Sequence, residues 1–161
     1  MRVATKSGRQ EAWPEFLELW ADLIDASRSP STVIVVEGER DRASLGKLGV
    51  GGRVIVLHRG QPVSGVAHLL SRNARRVIVL TDWDQKGGRL AQKLREFLES
   101  MPVELDLETR RRLAHVLRGE LVHVEGIAGW ARRTAEQLNV PIEQWLAEIE
   151  ADLARKRPAT G

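Results

Sequence analysis

The sequence has no cysteine among its 161 residues. That excludes disulfides, thiolate metal sites and cysteine nucleophiles, and leaves carboxylate oxygen and imidazole as the strong metal donors. Tyrosine is absent too, so no chemistry can link a substrate covalently to a tyrosine of this chain. No apolar run approaches the roughly 20 residues that a bilayer-spanning helix needs. Arg2, Lys6 and Arg9 stand near the start, but no apolar stretch of signal-peptide length follows them, so a cytoplasmic protein is expected. Charge of one sign is scarce as well: 25 basic residues face 22 acidic ones, and the net charge of +3 leans towards an anionic partner without deciding it. The length and the 42% apolar content suit one domain with a helical extension.

Three stretches are alike: Val33-Ile34-Val35-Val36, Val54-Ile55-Val56-Leu57 and Val77-Ile78-Val79-Leu80. Continuous β-branched runs suit strands covered on both faces, as in a parallel sheet. Helical signals lie between them, so the repeating unit is strand, helix, strand. Asp41 is placed to cap a helix through Ala43, Leu45 and Leu48, and Pro62 to open one with Val63, Val66, Ala67 and Leu70 inward. Gly87-Gly88 leads into a longer helix carrying Leu90, Leu94, Phe97 and Leu98, and a further helix over about 107–118 precedes a weaker fourth strand, Leu121 to Val124. An amphipathic helix is expected over Pro14 to Ala26, and two more over Ile127 to Leu138 and Ile142 to Leu153, broken at Pro141.

Right-handed crossovers make these strands parallel, and open α/β sheets bind ligands at the carboxyl ends of their strands. The first strand ends in Glu37-Gly38, the second in His58-Arg59, the third in Thr81-Asp82-Trp83-Asp84 and the fourth in Glu125-Gly126. If the first and third are neighbours, Glu37, Asp82 and Asp84 converge. Two carboxylates about 5 Å apart repel by roughly 3 kcal/mol at an effective dielectric near 20, a cost that a divalent cation removes. Oxygen donors favour Mg²⁺, with Mn²⁺ as the alternative. Taken singly, each acid also reads as a turn or cap residue. Taken together they favour a site, because acids follow two separate buried strands. Asp41 and Glu125 border the same edge as outer-shell acids. Of the four histidines only His58 stands at a strand end, with no serine or second histidine at a matching position.

The string VVEGERD, followed further along by VIVLTDWDQKGGRLA, resembles the Toprim domain shared by type IA topoisomerases, bacterial primases, the 5S ribosomal RNA maturase and OLD-type nucleases. It looks closest to the small stand-alone, primase-like Toprim proteins related to that maturase. The resemblance implies a Rossmann-like four-stranded parallel sheet flanked by helices over residues 31–128. Helical extensions over 1–30 and 129–161, the latter ending in a basic tail, complete the expected division. It implies that Glu37 acts in acid/base work or binds metal, that Asp82 and Asp84 bind metal, and that Gly38 and Gly87 let the backbone turn tightly beside them. Where type IA topoisomerases place a third acid, this chain has Lys86, which points to one cation and frees a lysine to contact phosphate. The missing tyrosine and the short chain argue against a topoisomerase acting alone, and small size with a leaning towards basic charge puts an endonuclease of ribosomal RNA maturation first. The alternatives are a non-catalytic module that binds nucleic acid or a ribonucleoprotein, and a primase-like or DNA-repair protein. RNA or DNA is then the partner, with Arg59, Lys86 and Arg89 near the site as phosphate contacts and the basic runs, Arg110 and Arg111 foremost, behind them. Trp83 either stacks on a base or packs beside the neighbouring loop, with packing favoured.

Overall fold

The computed structural model describes residues 6–57 and 60–156. Helix α1 (Lys6–Ser27) leads into β1 (Thr32–Val36), α2 (Glu39–Lys47), β2 (Arg53–Val56), α3 (Val63–Asn73), β3 (Arg76–Val79) and α4 (Gln85–Leu98). Strand β4 (Glu104–Asp106), α5 (Glu108–Val116), a single 3₁₀ turn (Val124–Gly126), α6 (Ile127–Gln137) and α7 (Ile142–Lys156) follow. The strands form one parallel sheet in the order β2-β1-β3-β4. Helices flank it as the sequence leads one to expect.

The strand pleat divides the core in two, because successive side chains point to opposite faces. Val33, Val35, Val77 and Val79 pack against α3 and α4. Ile34, Val36, Ile78 and Leu80 pack against α1 and the helices from α5 onward. On that second face Phe16 stacks on Trp20 with ring centroids 5.4 Å apart and meets Trp130 edge-on at 4.9 Å. Phe16 and Trp20 are fully buried, worth about 1.5–3 kcal/mol for a side chain of the size of Phe16. The Trp20 indole N–H donates to the Leu48 carbonyl at 2.9 Å, which ties α1 to the end of α2.

Three sequence expectations are corrected here. Leu121 to Val124 is not a strand. The fourth strand is Glu104–Asp106, an edge strand whose partly buried Val103, Leu105 and Leu107 alternate towards one face, so it has no continuous apolar run to announce it. Helix α1 begins at Lys6, ahead of Pro14, which lies inside it. Buried Trp13 and an Arg9 to Glu120 ion pair at 2.6 Å hold the extra turns in place. Asp41 does not cap α2 from outside: Gly38 is the cap, and Asp41 sits in the first turn accepting from the Gly38 N–H at 3.0 Å. Among the described residues no helix is long and apolar enough to cross a membrane.

Candidate metal centre

Strands β1 and β3 are hydrogen-bonded neighbours in register, Val35 opposite Val79, and the Leu80 N–H continues the ladder to the Val35 carbonyl at 2.8 Å. The chain therefore leaves both strands at the same place, which brings Glu37 beside the Thr81 to Asp84 loop. Glu37 Oε1 accepts from the Asp82 N–H at 3.1 Å. Asp82 Oδ1 accepts from the Val124 N–H at 2.8 Å. Asp84 caps α4, its Oδ1 accepting from the Gly87 N–H at 2.8 Å. Each of the three carboxylates is thus held through one oxygen by a backbone donor. The second oxygens of both aspartates face His123, whose Nδ1 lies 3.2 Å from Asp82 Oδ2 and 3.6 Å from Asp84 Oδ2. One ligand atom each from Asp82, Asp84 and His123 falls within 4.8 Å of the others, a spread that a common cation can bridge.

The loop that carries the aspartates is braced from below. Arg110 donates from Nε to the Thr81 carbonyl at 2.9 Å and from Nη2 to the Asp82 carbonyl at 2.7 Å. Thr81 Oγ1 donates to the Gly87 carbonyl at 2.8 Å. Gly87 is needed for space: a Cβ there would lie 1.7 Å from the Asp82 carbonyl oxygen. Gly38 differs from expectation. Its φ of −146° is extended backbone open to any residue, and a Cβ would meet nothing closer than Asp41 Oδ2 at 3.8 Å, so of the two it is Gly87 whose lack of a side chain the packing requires.

The electrostatics are crowded with negative charge. Burial, then the Asp82 carboxylate, push the Glu37 pKa above its ordinary value, against the Asp82 N–H and the Lys86 ammonium. Burial, then Asp82, push Asp41 up as well, although the Gly38 and Glu125 N–H groups bind its carboxylate. The hydrogen bond to Asp82 raises His123, with the fields of Asp82, Asp84 and Glu125 adding to it. Burial of the Arg110 guanidinium lowers its pKa in spite of the three facing acids. The donor set fits a divalent cation: oxygens of Asp82 and Asp84 point at one space, one imidazole faces both, and the local field favours positive charge.

The remaining residues singled out in the sequence are distributed as follows. Asp41 is buried just behind Asp82, and Glu125 is exposed on the 3₁₀ turn, not at a strand end. Lys86 and Arg89 are exposed on the first turns of α4, with Lys86 close enough to act on Glu37. Arg110 turns inward to the loop, whereas Arg111 faces solvent and pairs with Glu108. Arg59 and His58 lie outside the described residues. Several other arginines of the basic runs are paired within the chain: Arg76 with Asp106, Arg132 with Glu143 and Arg155 with Asp152. Trp83 packs against the core and donates its indole N–H to the Leu121 carbonyl at 2.7 Å, the packing reading. The residue that sequence reasoning missed is His123. It was hidden inside a segment read as a strand, and the only signal was a histidine placed just before the Glu125-Gly126 pair.

The Toprim domain family matches residues 31–110, the span that holds Glu37, Asp82 and Asp84. The chain belongs to the Toprim family. A UPF0292 protein of Thermococcus gammatolerans is 40% identical over 119 residues, 74% of this chain and 85% of the relative. A UPF0292 protein of Methanosarcina acetivorans is 29% identical over 127 residues, 79% and 87% of the two chains. Among solved structures, a putative protein from Aquifex aeolicus superposes with a TM-score of 0.57 at 33% identity, covering 67% of this chain and 94% of that one. Toprim membership together with the acidic group makes a metal-dependent, nucleic-acid-related function the coarse assignment. His123 stands outside the matched Toprim span, on the segment that follows it.

Proposed function

We propose that this Toprim protein is an endonuclease, dependent on a divalent cation, that hydrolyses a phosphodiester of RNA in the maturation of a structured RNA such as ribosomal RNA. The observation that carries the reading is the shared space of Asp82 and Asp84, whose oxygens lie within a cation's reach of one another and of His123, with Glu37 tethered beside them on the Asp82 N–H. A cation bound there supplies Lewis-acid stabilisation of the charge that develops on the phosphoryl oxygens. Asp82 and Asp84 hold it. Glu37, its pKa raised by burial, takes a proton at its second oxygen from the attacking water or returns one to the leaving oxygen. Lys86 and Arg89, at the start of α4, hold neighbouring phosphates beside the helix N-terminus. Arg110 keeps the aspartate loop in position.

Cleavage mapping tests this on structured RNA and on single-stranded DNA, without metal and with Mg²⁺ or Mn²⁺, for the wild type and for Asp82→Asn and Asp84→Asn. Both variants are expected to lose at least about a hundredfold in rate, the range in which removing one electrostatic stabiliser falls. Undiminished cleavage by the folded variants removes the assignment, and preference for DNA redirects the substrate. A second reading has one specific observation behind it. Lys86, an exposed cation beside the acids, suits a site that docks nucleic acid without cutting it. Tight, salt-dependent RNA binding without cleavage in Mg²⁺ or Mn²⁺ would select that reading.

A further inference from the structure

His123 is held in place by more than its own side chain. The residues on both sides of it are bonded to the aspartate loop: Trp83 N–H donates to the Val122 carbonyl at 3.0 Å, and the Trp83 indole to the Leu121 carbonyl at 2.7 Å. The Val124 N–H donates to Asp82 Oδ1 at 2.8 Å, and Val124 itself is fully buried. The backbone of this segment is therefore fixed against Asp82 while the imidazole stays half exposed, open to an ion arriving from solvent. Its Nδ1 is directed between the two aspartate oxygens that no backbone donor occupies.

A carboxylate-only pocket would suit Mg²⁺. An imidazole in the donor set changes the order of preference, because nitrogen donors gain more from first-row transition ions than from hard alkaline-earth ions. We infer that His123 is the third ligand of the cation held by Asp82 and Asp84, and that its nitrogen makes the site select a divalent transition ion, Mn²⁺ or Co²⁺, over Mg²⁺. The inference rests on the metal-centred reading of the site and changes which ion the protein works with. Ligation uses the Nδ1 lone pair and leaves the proton on Nε2.

The test uses the full chain, stripped with a chelator and titrated with each metal alone. Co²⁺ is followed by visible absorption, Mn²⁺ by the EPR signal of the free ion and Mg²⁺ by competition with Mn²⁺. Wild type is expected to bind Co²⁺ and Mn²⁺ more tightly than Mg²⁺. His123→Ala is expected to weaken both by at least about 10–100-fold, the loss that even an outer-shell partner of a ligand causes, while Mg²⁺ shifts far less. Pulsed EPR of the Mn²⁺ form is expected to show coupling to an imidazole nitrogen that His123→Ala and His123→Asn both lack. Equal loss for all three ions, no loss, tighter binding in the variants, or no nitrogen coupling overturns the inference. Asp84→Asn separates the two levels. If it abolishes binding while His123→Ala changes nothing, only the histidine assignment fails; if it leaves binding intact, the metal-centred reading fails with it.

Discussion

Asp106 and Glu37 both stand at the carboxyl end of a strand in the same sheet, yet the protein treats their charges in opposite ways. Asp106 receives the Arg76 guanidinium at 2.6 Å, the Thr109 N–H at 3.0 Å and the Thr109 hydroxyl at 3.1 Å. Burial is the largest influence on it and acts upward, but these donors together hold its pKa below the ordinary carboxylate range. Glu37 has one backbone donor, and burial with Asp82 beside it pushes its pKa up; Asp41, a few residues on, is pushed the same way. The first corner is complete in itself: the acid anchors the first turn of α5 through Thr109 and closes an ion pair across β3 and β4. The second gathers acids to which Lys86, Arg110 and His123 bring positive charge, yet Glu37 closes no ion pair among the described residues. Crowding of this kind costs stability, and perturbed acids gathered at a sheet edge mark a candidate site.

The most damaging way to disturb the crowded corner is through Gly87. Gly87→Ala places a methyl carbon 1.7 Å from the Asp82 carbonyl, against backbone that Arg110 and Thr81 already hold, so the loop must move. A loss of about 3 kcal/mol or more in chemical denaturation is expected, at the upper end of overpacking costs, together with loss of cation binding. Gly38→Ala meets no close atom and should change stability by less than about 1 kcal/mol. Similar losses for the two variants would mean that the Gly87 contact does not organise the acids.

Next in size is the completed corner. Asp106→Ala removes the acceptor for Thr109 at the start of α5 and leaves Arg76 with only the longer 4.0 Å pair to Glu104. About 1–2 kcal/mol should be lost at neutral pH, mostly from the cap, since the arginine is partly exposed and its ion pair screened. The folded-state pKa of Asp106 lies below its unfolded value. Its stabilisation is therefore complete above the ordinary carboxylate range and fades as pH falls through the depressed value. Urea midpoints for wild type and variant should converge in acid, and a gap that widened there would reverse the assignment.

The contrast between the corners also explains what the sequence made legible. Strands β1 and β3 are buried on both faces, so their β-branched runs are continuous, and the acids that end them follow at once. Register between neighbouring parallel strands then brings Glu37 to Asp82, which is why the sequence could bring these acids together as candidates. Strand β4 was obscured because it is three residues long and lies at the edge, where Glu104 is exposed. His123 was obscured for a different reason. It reaches the site through backbone bonds between the Trp83 loop and residues 121–124, contacts between segments far apart in sequence that carry no periodicity. Arg110 sat in a run of three arginines, and only packing distinguishes the one that turns inward from Arg111, which pairs with Glu108 at the surface.

The smallest effect carries the opposite sign. Glu37→Gln keeps an oxygen to accept the Asp82 N–H but removes a charge that burial and Asp82 disfavour. Because the folded pKa of Glu37 is raised above its unfolded value, the ionised carboxylate opposes folding. That penalty is absent below the ordinary carboxylate range and complete once pH exceeds the raised folded value. In the absence of divalent metal, Glu37→Gln should therefore be more stable than wild type at neutral pH, by about 0.5–1 kcal/mol, the scale of relieving one strained functional group. The two proteins should become equal in acid. Adding the cation should erase the advantage at neutral pH, since the metal supplies the counter-charge that the substitution makes unnecessary. An amide variant less stable than wild type in metal-free buffer at neutral pH would place Glu37 in the same class as Asp106, a structural acid, and would remove the electrostatic ground for regarding this corner as a site.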